Sequence, residues 1–196
     1  MLPEGTPLWR VHSALRLGNV FNPCMGDHSR FSPLYDVAGE CIPTLYAGRT
    51  REAAAFETIF RNLPLLPLPR QVFARRITGS ALSELRPRRT FRLAALYNAE
   101  LALVGQSRLT MIESHGTAAY RETARWAEAI HRDLPDFDGL IWTSRQQDEV
   151  QAMLLYGTRI TPADLEVVAT ETLDTGPGRQ WVSDMAIAYK IDLIPA

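Results

Sequence analysis

The chain has 196 residues, 46% of them hydrophobic, enough for one sizeable packed domain and barely enough for two. Lys plus Arg total 21 against 22 Asp plus Glu, so the net charge is −1 and no basic surplus argues for direct nucleic-acid binding. Cys24 and Cys41 are too few for a disulfide framework, and His12, His28, His115 and His131 fall into no metal-ligand spacing, so no metal site is expected. The opening MLPEGTPLWR lacks the basic and apolar segments of a signal peptide, and no apolar run approaches bilayer length. A reduced, cytoplasmic protein without membrane contact is the expectation.

In chain order, LWRVHS (8–13) alternates apolar and polar residues and reads as a strand. Residues 18–43, rich in Gly, Pro, Asn and Asp, read as a long loop of the functional or mobile kind. TLYAGR (44–49) is a short strand. Thr50 caps a helix running to about Asn62, with Glu52 in its first turn, and Pro64, Pro67 and Pro69 prevent its continuation. Strands follow at 71–77 and 90–96 around a short helix near 80–86. Thr117 to Asp133 is the clearest amphipathic helix, with Ala119, Trp126 and Ile130 near one face and Pro135 as its stop. Strands are predicted at 139–144, 150–157 and 165–171, and a helix from Gly178 to Ile191. No repeat or linker divides the chain. The fold class is α+β, a single mixed α/β domain over residues 1–196.

Several residues have the chemistry of a site. Glu57 lies at the margin of the apolar stripe formed by Phe56, Phe60 and Leu63, above Ala53 and Ala54, where a carboxylate is partly desolvated. The ordinary alternative is a surface ion pair with Arg61 four residues on. Arg10, mid-strand, and Arg30, at the end of a glycine-containing loop, offer rigid donor forks that suit phosphate or carboxylate. Two solvated arginines are the ordinary alternative. Phe31 offers a stacking face, and Tyr46 a face and a hydroxyl, although a tyrosine in such a strand is more often a packing residue. Ser144 follows the strand GLIWT, a place where sites form in α/β proteins; no GxSxG elbow surrounds it, so it is no hydrolase nucleophile. Arg70, Arg75, Arg76, Arg86, Arg88, Arg89 and Arg92 form a local basic patch beside the single acid Glu84. Pairing with the acid-rich segment after Asp164, or a partner surface, is favoured over nucleic acid.

Taken together, Arg30 in SRF, Glu57 in AAAFETIF and Ser144 in DGLIWTSR resemble the arginine, glutamate and serine for which the RES-domain family is named. LWRV with Arg10 and TLYAGRTREAAAFE with Tyr46 fit the same pattern in the same order, over about residues 8–156. The resemblance implies a fold like that of ADP-ribosyltransferases and NAD as substrate rather than cofactor. It also implies a toxin of a bacterial toxin–antitoxin pair, with an Xre-like antitoxin occluding the active site.

On that resemblance Arg30, Tyr46 and Glu57 are the expected catalytic residues, and Arg10, Phe31 and Ser144 the expected contacts to NAD. Cleaving the nicotinamide–ribose bond creates an oxocarbenium-like sugar, as in glycoside cleavage. Arg10 and Arg30 would hold phosphate and ribose, Tyr46 and Phe31 would stack the nicotinamide, Glu57 would stabilise the cation and Ser144 would fix the ribose or amide. Water as acceptor makes the chain an NAD glycohydrolase, phosphate makes it a phosphorylase, and a protein side chain makes it an ADP-ribosyltransferase. NAD degradation ranks first and protein modification second. A non-catalytic binding protein with a RES-like shell is the reading from another class.

Overall fold

The computed structural model describes residues 1–61, 63–64 and 66–195. In chain order the elements are β1 (Leu8–Ser13), β2 (Leu34–Tyr35), β3 (Cys41–Ile42), β4 (Thr44–Gly48), α1 (Arg51–Phe56), β5 (Arg70–Phe73), β6 (Ser80–Pro87), β7 (Leu93–Ala95) and α2 (Asn98–Leu103). Then come α3 (Thr117–Asp133), β8 (Gly139–Thr143), β9 (Gln151–Tyr156), β10 (Leu165–Thr172), α4 (Gly176–Ala188) and β11 (Ile191–Ile194). Seven strands form one sheet in the order β10-β6-β1-β4-β9-β8-β7. Its pairs are antiparallel except β7 with β8. This is the mixed α/β architecture that the sequence implies.

Register explains which residues share a face. Tyr46 lies opposite Leu154, and Leu154 opposite Leu140. These belong to the cluster with Phe31, Trp142 and the inner side of α3. One residue along, Leu45 opposes Leu155, and both join Leu8, Phe91 and Met153 in a cluster of their own. Residues 152–156 of β9 are buried on both faces, as a strand covered above and below must be. A third cluster joins Phe56 and Phe60 to Val182 and Met185 of α4 and to Val72 and Ile191 of the small parallel β5–β11 sheet.

Several predicted elements are corrected. Residues 80–86 are not a helix but most of an eight-residue strand, β6, held between β1 and β10. The helix-favouring Ala, Leu and Glu there yield to cross-strand pairing and burial, which decide strand formation. Helix α1 ends at Phe56, well short of Asn62, which lies outside the described residues. The predicted strand 71–77 is β5 followed by a 3₁₀ turn. Within the predicted loop 18–43, β2 and β3 form a short hairpin. The inner stripe of α3 is Tyr120, Thr123, Ala124 and Ala127, with Trp126 and Ile130 half-buried at its side. Helix α2 and strand β11 are additions to the predicted elements; the C-terminal helix stops at Ala188, and Lys190 takes a left-handed φ of 50° before β11. The two cysteines are not free thiols: Cys24 and Cys41 form a disulfide that spans the loop carrying Arg30. Among the described residues no helix is long and apolar enough to cross a membrane.

Candidate active site

The site begins with a close approach between β4 and α1. A Cβ built on Gly48 would lie 2.7 Å from the Ala54 nitrogen and 2.8 Å from the Ala53 Cβ. Gly48 and the buried run Ala53, Ala54 and Ala55 therefore let the helix lie directly on the strand. Thr50 caps the helix by accepting from the Ala53 N–H at 3.1 Å. Six residues later the helix ends, with Glu57 as its C-cap. A carboxylate at a helix C-terminus meets the unfavourable end of the dipole, so it needs a donor or a cation from elsewhere.

The loop supplies the cation. Ser29 and Ser32 close a tight bend through a 2.7 Å backbone bond and a 2.7 Å contact between hydroxyls. The Tyr46 hydroxyl, rising from β4, bonds the Ser29 hydroxyl and accepts from the Phe31 N–H, each at 3.1 Å. Thr123 of α3 donates to the Arg30 carbonyl. Arg30 is thus fixed through its own backbone and both neighbours. The Tyr46 phenol is pushed to a raised pKa by burial, opposed by hydrogen bonds from Ser29, Ser32 and Phe31 and by the nearby Arg30 charge.

Three side chains from distant parts of the sequence then meet. Arg30 Nη1 lies 3.5 Å from Glu57 Oε2, and the Ser144 hydroxyl donates to Glu57 Oε1 at 3.0 Å. Each carboxylate oxygen has its own partner. The Arg30 and Glu57 side chains are only 9% and 8% exposed, and Ser144 is fully buried. Arg30 Nε, also buried, has no partner among the described residues. Arg108 steadies the Ser144 turn by donating to the carbonyls of Thr143 and Ser144 at 3.4 and 3.2 Å, and pairs with Asp148 and Glu113. A charged, hydrogen-bonded and nearly dry cluster of this kind is the pattern of a preorganised electrostatic site.

A cavity of about 600 Å³, within the size range of small-molecule sites, is lined by the same stretches of chain. Its walls use residues flanking each member of the cluster in sequence: His28, Arg61 and Arg145. Arg76, His115, Thr117 and Tyr120 add to the polar wall, and Asp27 is its only carboxylate among the described residues. Among the described residues Arg61, Arg76 and Arg145 form no ion pair, and His28 Nδ1 is buried without a partner. Unneutralised arginines around a cavity suit an anionic ligand.

Residues 7–176 match the model of the RES domain. The chain belongs to the RES-domain family. Its fold is also similar to a chain in the crystal structure of the M. tuberculosis MbcT-MbcA toxin-antitoxin complex, with a TM-score of 0.58 at 12% identity over 87% of this chain and 85% of that one. No curated protein matches the sequence.

Not every sequence-derived candidate of this RES domain reaches the site. Arg30, Glu57 and Ser144 meet; Tyr46 lies beneath them. Glu57 is met by Arg30 and Ser144 rather than by Arg61. Arg10 lies apart from the three: its Nη1 donates at 2.7 Å to the carbonyls of Gly18 and Val20, holding a turn. Burial, with repulsion from Arg16, lowers its pKa to about 10. The Phe31 ring is fully buried against the edge of Trp142, 5.1 Å between centroids. Much of the arginine patch is neutralised within the fold. Arg89 pairs with Asp138 and Asp164, Arg86 with Glu84 and Arg92 with Asp136. Only Asp164 belongs near the acid-rich stretch expected to do this. The cavity arginines were missed as a set. Arg145 and Arg61 carried a faint signal by adjoining Ser144 and Glu57, whereas His28 and His115 are brought together by the fold alone.

Proposed function

We propose that this RES domain breaks the nicotinamide–ribose bond of NAD and acts as the toxin of a toxin–antitoxin pair. The observation that carries the reading is Glu57, a nearly dry carboxylate oriented by Ser144 and Arg30, together with a cavity walled by Arg61, Arg76 and Arg145, which form no ion pair among the described residues. As the bond breaks, its electron pair leaves with nicotinamide, which departs neutral, and positive charge develops on the anomeric carbon. Glu57 stabilises that charge, and the cavity arginines hold the diphosphate. Ser144 and Arg30 each hold one oxygen of the Glu57 carboxylate and so fix its place. Tyr46 acts on the Arg30 loop from below. Water then adds to the sugar carbon and gives up a proton, so the net products are nicotinamide and ADP-ribose; with phosphate as acceptor the product is the ribosyl phosphate. NAD is the substrate, and the chemistry uses no further cofactor because the pyridinium is already a cationic leaving group.

The membership in the RES family and the fold shared with a protein from a toxin–antitoxin complex support the biological half of the reading. The partner is an Xre-like antitoxin that occludes the cavity, and the compartment is the cytoplasm, where the dinucleotide is available. The test is nicotinamide release from NAD by the purified protein, with and without phosphate, beside Glu57→Gln. Release that disappears in the variant supports the reading. Labelling of a lysate protein by NAD without release to water identifies a protein ADP-ribosyltransferase instead. No NAD binding at all leaves a non-catalytic shell.

A further inference from the structure

A second cavity, of about 340 Å³, adjoins the first. Arg61 and Arg76 line both cavities. The second lobe is otherwise built from Val11, His12, Thr58, Ile59 and Ser80. Its chemistry differs from that of the first. Among the described residues no carboxylate lines it, and Val11 and Ile59 give it an apolar floor. The Thr58 hydroxyl is committed to the Ala54 carbonyl. His12 has both ring nitrogens engaged, Nδ1 at the Ser13 carbonyl 2.9 Å away and Nε2 at the Ser83 hydroxyl 2.8 Å away. Burial and repulsion from Arg10, outweighing the Ser13 bond, lower the His12 pKa and so favour a neutral ring. Away from Arg61 and Arg76, what remains is a partly apolar lining with a fixed imidazole, suited to a flat neutral base.

We infer that the Arg61–Arg76 wall is a diphosphate saddle and that the lobe of Val11, His12, Ile59 and Ser80 takes the adenosine end of a dinucleotide. This deepens the NAD reading and rests on it. The nicotinamide riboside end then occupies the larger lobe beside Glu57. A ligand with two base-bearing ends joined by a dianion fits two lobes that share a cationic wall. A mononucleotide fills one lobe only and reaches the wall with a single phosphate. Binding of the remote adenosine end contributes to selection of the dinucleotide.

Two readouts test the assignment. The first is binding of ADP-ribose, which has no nicotinamide bond to cleave, by titration calorimetry. Ser80→Trp, which fills the second lobe, and Arg76→Ala, which removes half the saddle, should each weaken ADP-ribose at least tenfold. The second is nicotinamide release from NAD and from nicotinamide mononucleotide. The ratio of the two kcat/KM values should favour NAD by tenfold or more in the wild type and fall at least tenfold in Ser80→Trp, mainly through KM. Arg125→Ala, on the exposed outer side of α3, should change neither readout and serves as the control. Unchanged ADP-ribose affinity in both variants, with the protein folded by circular dichroism, would overturn the assignment even if NAD is cleaved. ADP-ribose binding that follows the prediction in a protein that releases no nicotinamide would uphold the subsite and sink the cleavage reading.

Discussion

Replacing Glu57 by Gln probes the Arg30–Glu57–Ser144 cluster in one step, since it keeps the shape and the Oε1 that accepts from Ser144 but removes the charge facing Arg30. Two unit charges 3.5 Å apart attract by about 5 kcal/mol at an effective dielectric of ~20. Relief of the buried carboxylate's desolvation offsets part of this, and breaking a buried pair by removing one partner costs about 3–5 kcal/mol. The 3.5 Å separation is long for a charge-assisted bond, so the lower end, about 3 kcal/mol, is expected. The assay is a double-mutant cycle in urea using Glu57→Gln, Arg30→Gln and the pair, with nicotinamide release followed in parallel. A coupling energy of about 2 kcal/mol or more is expected, with release lowered ~10²-fold in Glu57→Gln, the scale of losing one preorganised electrostatic group. Coupling below about 0.5 kcal/mol would show that the two charges do not sense each other and would refute the description of the cluster. Full activity in Glu57→Gln would remove Glu57 from the chemistry.

Arg10→Met should lower stability by about 2 kcal/mol, because the carbonyls of Gly18 and Val20 lose their donor, while KM for NAD stays at the wild-type value; a raised KM in folded protein would restore Arg10 to the site. Converting both Cys24 and Cys41 to Ser should cost about 2–3 kcal/mol for a loop of this length. Thiol alkylation before purification should leave Cys24 and Cys41 unlabelled, and labelling of both would refute the bridge. His12 and His131 both have pKa values lowered from 6.5, chiefly by burial. The unfolded chain therefore takes up protons before the folded one as pH falls. Stability from these histidines is complete above pH 6.5 and declines below it, until the folded groups also protonate. Chemical denaturation between about pH 7.5 and 5 should show this slope, and His12→Gln should flatten it; an unaltered slope would refute the assignment to His12.

The sequence was most legible where local signals agreed with the sheet. LWRVHS, GLIWT and the helix from Thr117 to Asp133 are strand, strand and helix as read; only the helix keeps one face in the core and the other outside, whereas the strands are covered on both faces, Leu8 and Val11 joining different clusters. The order of Arg30, Glu57 and Ser144 along the chain was equally legible, and it sufficed to identify the family to which the chain belongs. Legibility failed where partners distant in sequence decide the outcome. SALSELRP has the composition of a helix and becomes a strand because β1 and β10 bracket it. IDLI gives a strand only through parallel pairing with β5, more than a hundred residues earlier.

By itself, then, the amino-acid sequence determined a mixed α/β fold, the residue types of the cluster and the small-residue run at Gly48 and Ala53–Ala55 that lets α1 lie on β4. Only the tertiary structure decided what each side chain meets. It turned Arg10 toward backbone carbonyls and Phe31 into the core, and it gave Glu57 to Arg30 and Ser144 instead of Arg61. The physical reason is range: periodicity and capping act within a few residues, whereas the partner of a buried charge is chosen by a sheet that brings residues 30, 57 and 144 to one place.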